Sequence, residues 1–182
     1  MKIYTKTGDE GQTGLLYGGR VWKDDPGPEA YGAVDEAVAA FGVARVLAGE
    51  GLAERLLAIQ RDLFVVGAEL ATSPQKRSKL EPGVSRATSE MVGRLEGWID
   101  EAVAEKELPR EFVVPGESPL EAALEVARAT VRRAERRVVS LVRSGGLDGS
   151  GVPVYLNRLA DLTYVLARSA APEWRPSRTK EK

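Results

Sequence analysis

Apolar positions along this chain recur mainly at helical spacing, and strand-like alternation is scarce. Val34, Val38 and Phe41 follow the i, i+4, i+7 rule from about Glu29 onward, with Leu47 or Ala48 closing the stripe. Leu52, Leu56, Ile59, Leu63, Val66 and Leu70 then alternate steps of four and three, the seam expected of antiparallel bundle packing. A third helix is predicted over about 85–106, carrying Met91, Leu95, Trp98, Ile99 and Val103. A fourth opens at Ser118-Pro119-Leu120-Glu121, where Ser118 suits the N-cap, Pro119 the first helical position and Glu121 the capping box. It runs to about Arg143 and stops at Ser144-Gly145-Gly146. A fifth spans Pro153 to about Ala170, with Leu156, Leu159, Leu162 and Leu166 as its stripe.

The segments between are of another kind. Residues 1–28 carry glycine at 8, 11, 14, 18 and 19, which predicts an ordered loop or a short hairpin around Leu15-Leu16-Tyr17. Residues 72–83 read as a polar loop broken by Pro74 and Pro82, and 108–116 as an extended stretch centred on Phe112-Val113-Val114. With no internal repeat or linker to divide it, the chain reads as one all-α domain over 1–182. Its parts are an N-terminal loop (1–28), a five-helix bundle (29–171) and a polar, mobile tail (172–182).

Composition narrows the chemistry. Of 182 residues, 43% are apolar and 29% charged, an ordinary globular balance, and a chain of this length needs no disulfide to hold a core. It has neither cysteine nor histidine, which removes thiol nucleophiles, Cys/His metal sites and Ser-His-Asp triads, and no metal-ligating residues are assigned. A net charge of −1 gives no general attraction to nucleic acid or acidic membranes. Met1 to Lys6 has no apolar run, and the longest apolar stretches fall far short of the roughly 20 residues that span a bilayer, so a cytoplasmic location is expected.

Three groups could carry function. Thr5-Lys6-Thr7-Gly8-Asp9-Glu10-Gly11-Gln12-Thr13-Gly14 combines glycines that turn backbone N–H groups toward an anion with a lysine and hydroxyl donors, or is a flexible loop. On the fourth helix, Glu125, Arg128, Arg132 and Arg136 share one face, with Arg133 and Arg137 about 100° round and Glu135 in reach of Arg132. The thin apolar stripe there (Ala123, Val126, Ala127, Ala134, Val138, Leu141) suggests that the arginine face is itself enclosed; the alternative is a solvated, salt-bridged face. On the fifth helix, Asn157, Asp161, Tyr164 and Arg168 form a polar stripe whose simplest reading is a hydrated outer face. The loop and the arginine helix together fit a polyphosphate such as a nucleoside triphosphate, and the residues alone name no reaction.

At these same residues the sequence closely resembles the PduO-type ATP:cob(I)alamin adenosyltransferases, the corrinoid adenosyltransferases. The matching segments are YTKTGDEGQTGLLYGGRVWKDD at 4–25, EAYGAVDE at 29–36, FVVPGESP at 112–119, ARATVRRAERRVVSL at 127–141 and YLNRLADLTYVLAR at 155–168, in family order. The resemblance implies a five-helix bundle assembled as a homotrimer with sites between subunits. It implies transfer of the 5′-deoxyadenosyl group of ATP to the Co(I) of reduced cobalamin, with Mg²⁺ accompanying ATP and triphosphate released. A flavoprotein reductase and an adenosylcobalamin-dependent mutase are the partners it suggests.

Residue by residue, Thr5, Lys6, Thr7 and Gly8 match the loop that wraps the triphosphate, Thr13 a further ATP contact, and Lys23 the phosphate-binding lysine. Arg132, Arg133, Ala134, Glu135 and Arg136 match the nucleotide motif, and Asn157 the ATP-contacting asparagine. Asp35 and Arg128 match an ion pair across the subunit boundary, and Phe112 the aromatic that blocks the lower axial position of cobalt. Glu125 departs from the family pattern, in which His or Gln is common, and the resemblance assigns it no corrin contact. The competing class is a non-catalytic, ATP-sensing helical bundle with a regulatory role.

Overall fold

The computed structural model describes residues 3–178; Met1, Lys2 and the end of the expected tail (179–182) lie outside the described residues. The glycine-rich start folds as a hairpin of β1 (Gln12–Gly14) and β2 (Arg20–Trp22), antiparallel, with Thr13 opposite Val21. Gly18 and Gly19 turn it at φ of 87° and 100°, a region closed to most side chains. The Leu16 N–H donates to the Ala71 carbonyl at 3.0 Å and so pins the hairpin to the end of α2.

The helices are α1 (Pro26–Leu47), α2 (Glu50–Leu70), α3 (Ser89–Glu105), α4 (Pro119–Arg143) and α5 (Val152–Ala170). Two boundaries differ from the sequence expectation. α1 begins at Pro26, not Glu29, because a proline in the first turn lacks only an N–H that would have no helical partner. α3 begins four residues after Ser85, because the Glu81 carbonyl holds the N–H groups of Ser85 and Arg86 in a turn and Thr88 caps the helix through the Met91 N–H. The polar 72–83 connection contains a 3₁₀ turn, Pro74–Lys79.

The expectation of a mobile tail fails for 172–178. A two-residue strand β4 (Arg175–Pro176) pairs antiparallel with β3 (Val113–Val114), and the Ser177 N–H donates to the Phe112 carbonyl at 2.7 Å. Trp174 Nε1 donates to the Arg168 carbonyl, while Lys106 Nζ lies 5.2 Å from the Trp174 ring centroid and donates to the carbonyls of Arg168, Ser169 and Ala171. That lysine satisfies the open C-terminal end of α5.

α4 packs between α1 and α5, α1 packs on its other flank against α2, and α3 packs against α5. Arg137–Glu29 and Arg133–Glu36 join α4 to α1 in antiparallel order, and Arg55–Glu101 and Arg94–Asp62 join α2 to α3. The leucine seam of α2 is buried as expected from Leu56 to Leu70, apart from the half-buried Leu52 at its start. The α1 stripe is as expected only in part. Val34 and Phe41 are buried and Val38 and Ala48 pack half-buried against the core as expected, but Leu47 is exposed, and Ala30, Ala33, Ala37 and Ala44 complete the inner face. They face a helix whose own core includes Ala127, Val131 and Ala134. Small side chains on both helices let the backbones approach closely. The thin apolar stripe of α4 therefore reflects alanine packing, and Val126, 60% exposed, is not part of it.

Four charged side chains among the described residues, Asp62, Glu69, Glu121 and Arg168, are buried where the sequence reading placed none. Glu69 accepts from Arg77, the Ala87 N–H and Ser150, each at 2.7 Å. Asp62 accepts from Arg94 and from the Tyr155 hydroxyl, and burial together with Asp62 pushes that hydroxyl's pKa well above its ordinary value. Arg168 is 2% exposed and pairs with Glu121 and Glu125, so the polar stripe of α5 is not a hydrated face along its whole length. Glu121 correspondingly does not close the expected capping box. Ser118 accepts from the Glu121 N–H as predicted, but the Glu121 carboxylate reaches back to the N–H groups of Gly116 and Glu117.

Removing a carboxylate that neutralises one cation and satisfies two further donors leaves those groups stranded. Glu69→Ala should therefore lower the free energy of unfolding by about 3–5 kcal/mol in urea titration, and a loss below about 1 kcal/mol would show that water replaces the carboxylate.

Candidate functional site

The loop before β1 owes its shape to two cations on or next to β2. Lys23 Nζ donates to the Gly8 carbonyl at 2.8 Å, and Arg20 donates to the carbonyls of Thr7 and Gln12. With carbonyls drawn toward these side chains, the N–H groups of Gly8 and Glu10 make no hydrogen bond among the described residues. Lys6 has φ of +61°, the only such value at a non-glycine position among the described residues. A lysine held in the left-handed region costs about 1 kcal/mol or more. Thr5 and Thr7 share a hydrogen bond between hydroxyls at 2.8 Å. Thr5, Lys6 and Thr7 are exposed, while Gly8 and Thr13 are half-buried. A concave turn of free N–H groups, hydroxyls and a lysine is suited to an anion.

On α4 the arginines divide into two sets. Arg128 is bound by Glu125 on its own helix, while Arg133 and Arg137 are bound by Glu36 and Glu29 of α1. Arg132, Arg136 and, at the last position of the helix, Arg143 are exposed and have no carboxylate partner among the described residues. The expected Arg132–Glu135 pair is not formed. Glu135 instead accepts from Asn157 Nδ2 at 3.1 Å, which joins the α4 and α5 motifs. The arginine face is open in the single chain, not enclosed, and it presents two unneutralised guanidinium groups beside Asn157. Ala134 is buried against α1 and supplies packing.

The remaining candidates lie elsewhere. Asp35 is exposed on α1 and lines an apolar groove between α1 and α2 with Tyr31, Val38 and Phe64. Asp35 and Arg128 do not meet within the chain. Phe112 is 88% exposed, which excludes the core role, and its backbone is fixed by β4 through Ser177. The hairpin shares a cleft with Leu141 and Gly146, so it rests at the C-terminal end of α4, about 8 Å along the axis from Arg136. Phe112 lies at the other end of α4, whose start at Pro119 is about 25 Å from Arg136. The structure thus brings the loop to the arginine end and sets Phe112 apart from both.

Sequence reasoning missed Arg20, which shapes the loop, and Glu29 and Glu36, which decide which arginines stay free. Only the spacing of Glu29 and Glu36 by seven, one face of a helix, hinted at a paired partner helix.

Comparison with known proteins places these residues in context. The sequence model of a family described as Cobalamin adenosyltransferase matches residues 3–170. The chain is 43% identical over 182 aligned positions to a corrinoid adenosyltransferase of Mycobacterium tuberculosis, covering 96% of this chain and 93% of the relative. It is 42% identical to the corrinoid adenosyltransferase of Bacillus subtilis, covering 92% of this chain and 86% of that one. Among solved structures, a variant PduO-type ATP:corrinoid adenosyltransferase from Lactobacillus reuteri complexed with cobalamin and ATP superposes with a TM-score of 0.87 at 33% identity, covering 98% of this chain and 100% of that one.

Proposed function

The chain belongs to the cobalamin adenosyltransferase family, and we propose that it does what those relatives are named for, as an ATP:corrinoid adenosyltransferase. It transfers the 5′-deoxyadenosyl group of ATP to the Co(I) of reduced corrinoid and releases triphosphate. The bond from cobalt to the 5′-carbon forms as the 5′-carbon–oxygen bond breaks, and triphosphate departs with that bond's electrons. Because the cobalt supplies the electron pair, no side chain is needed as nucleophile or general base, which suits a chain without cysteine or histidine.

The observation that carries the reading is the pair of exposed, unneutralised guanidinium groups of Arg132 and Arg136 at the same end of α4 as the hairpin. Arginine is matched to phosphate oxygens by its fork of donors, and charge growing on the leaving triphosphate is what such groups stabilise. In the proposed site Thr5, Lys6, Thr7, Gly8 and Thr13 wrap the triphosphate, and Lys23 exchanges the Gly8 carbonyl for a phosphate. Arg133, with Ala134 and Glu135, holds the shape of the α4 wall, and Asn157 contacts the nucleotide. Mg²⁺ arrives on ATP. In this reading the ion is held by phosphate oxygens and water.

Phe112 occupies the corrin side, where its exposed ring excludes a lower axial ligand and makes Co(II) easier to reduce. The separation of Phe112 from Arg136 favours a site completed by a neighbouring subunit. In that arrangement Asp35 pairs with Arg128 across the boundary, three subunits close the assembly, and the whole chain acts as one functional unit. The assembly works in the cytoplasm with a flavoprotein reductase and hands product to a mutase. No described helix is long and apolar enough to cross a membrane.

Purified protein given ATP, Mg²⁺ and chemically reduced cobalamin under anaerobic conditions should show the spectral change to adenosylcobalamin; no product would sink the assignment. Arg132→Ala should lower the rate by about 10²–10³-fold while corrinoid still binds. Weakened corrinoid binding at a normal rate would instead put Arg132 on the other substrate. Phe112→Ala should cost more when turnover starts from Co(II) than from pre-reduced Co(I), and equal losses would reject the axial role. Sedimentation should give a particle three times the 19.6 kDa chain mass, and a monomer at micromolar concentration would exclude a shared site.

A further inference from the structure

We propose that Glu125 is a positioning residue for Arg128, and this rests on the reading above that Arg128 belongs to the site. The two oxygens of Glu125 have separate partners. Oε1 accepts from Arg168, and Oε2 accepts from Arg128 Nε at 2.8 Å. Its side chain is 13% exposed, so it is not a solvated surface carboxylate.

Arg168 anchors the arrangement from beneath. It also pairs with Glu121 Oε1 at 2.7 Å, lies 5.5 Å from the Tyr164 ring centroid, and is held at its carbonyl by Trp174. Glu125 therefore has little freedom to turn, and neither does the guanidinium attached to it. Arg128 is gripped at Nε, the nitrogen closest to its own backbone, with its charged carbon 6.0 Å from the Tyr164 centroid. Its terminal nitrogens make no hydrogen bond or ion pair among the described residues, and the side chain is 32% exposed. A guanidinium fixed at its inner edge with its outer fork free is prepared to take a carboxylate or phosphate from outside the chain. Neutralising Arg168 requires only Oε1. Glu121 and Glu125 set two negative charges against the one positive charge of Arg168, so the bond from Oε2 to Nε balances the second carboxylate and at the same time fixes Arg128 at its inner edge.

The test is a double-mutant cycle on the intact protein, measuring kcat and KM with ATP and chemically reduced cobalamin, with thermal melts alongside. In the otherwise native protein Glu125→Gln should lower kcat about tenfold, the scale of losing a supporting contact to a functional group. In an Arg128→Ala background the same change should cost nothing further. Arg128→Lys keeps the charge but has no Nε, so it should reproduce the Glu125→Gln defect, and it decides the matter if Glu125→Gln fails to fold. Equal losses in both backgrounds, or an Arg128→Lys protein at the native rate, overturn the proposal. An Arg128→Ala protein at the native rate would instead remove Arg128 from the site, a failure of the underlying reading that the cycle separates from a failure of the positioning role.

Discussion

A guanidinium with 2% of its surface exposed is tolerated in a protein interior only when charge and hydrogen bonds are supplied around it, and Arg168 at the end of α5 obtains both from α4. Glu121 and Glu125 are one helical turn apart, so meeting them both fixes the register of the two helices along their shared axis. Glu121 then extends the constraint to the N–H groups of Gly116 and Glu117, which close the segment that carries Phe112. The Arg168 carbonyl receives Trp174 and Lys106, which direct the tail back toward β3. One buried charge thus determines the geometry of α4, α5, the Phe112 ribbon and the C-terminal strand together. A hydrophobic residue there could fill the volume, but it would leave the buried Glu121 with no cation and Glu125 with Arg128 alone.

The opposite end of α4 is governed by alanines. Close approach of α1 and α4 brings Glu29 and Glu36 within reach of Arg137 and Arg133, and this selects which arginines are neutralised. Arg132 and Arg136 stand on a neighbouring face and escape. Packing and electrostatics are therefore one decision here: a larger residue at Ala33 or Ala37 would separate the helices and loosen the ion pairs that distinguish Arg133 and Arg137 from Arg132 and Arg136.

Legibility in the sequence follows the range of the interactions involved. The α2 seam and the Ser118-Pro119 start of α4 are local signals, and both elements lie where they were expected. The α1 face was obscured because alanine contrasts weakly with its neighbours, and its first turn because Pro26-Gly27-Pro28 resembles a loop when read alone. The pairing of β3 with β4 joins segments about sixty residues apart through strands of two residues, too short for any periodicity. Arg168 and Glu69 interrupt apolar runs, but spacing gives no means of separating a buried ion pair from a solvated side chain. The motif resemblance marked the loop, the α4 arginines, Asn157 and Phe112 as candidates. Which of these would be free and which already paired depended on partners from other helices.

The distance along α4 constrains how such a site can work. Along α4, Arg136 stands about 25 Å and Arg132 about 20 Å from Pro119, where the Phe112 segment enters the helix. In-line displacement requires the reacting atoms within about 3–3.5 Å of each other. In the site proposed above, the Phe112 ribbon of one subunit would meet the loop and arginines of its neighbour across the boundary, a head-to-tail contact that closes as a ring of three. Exposed Asp35 in the α1–α2 groove and the outward fork of Arg128 are complementary groups on the surfaces such a neighbour would join. On this view a chain with neither cysteine nor histidine needs no reactive side chain of its own. In the proposed site its contribution would be to hold a strong nucleophile and a good leaving group, drawn from neighbouring subunits, in line with each other.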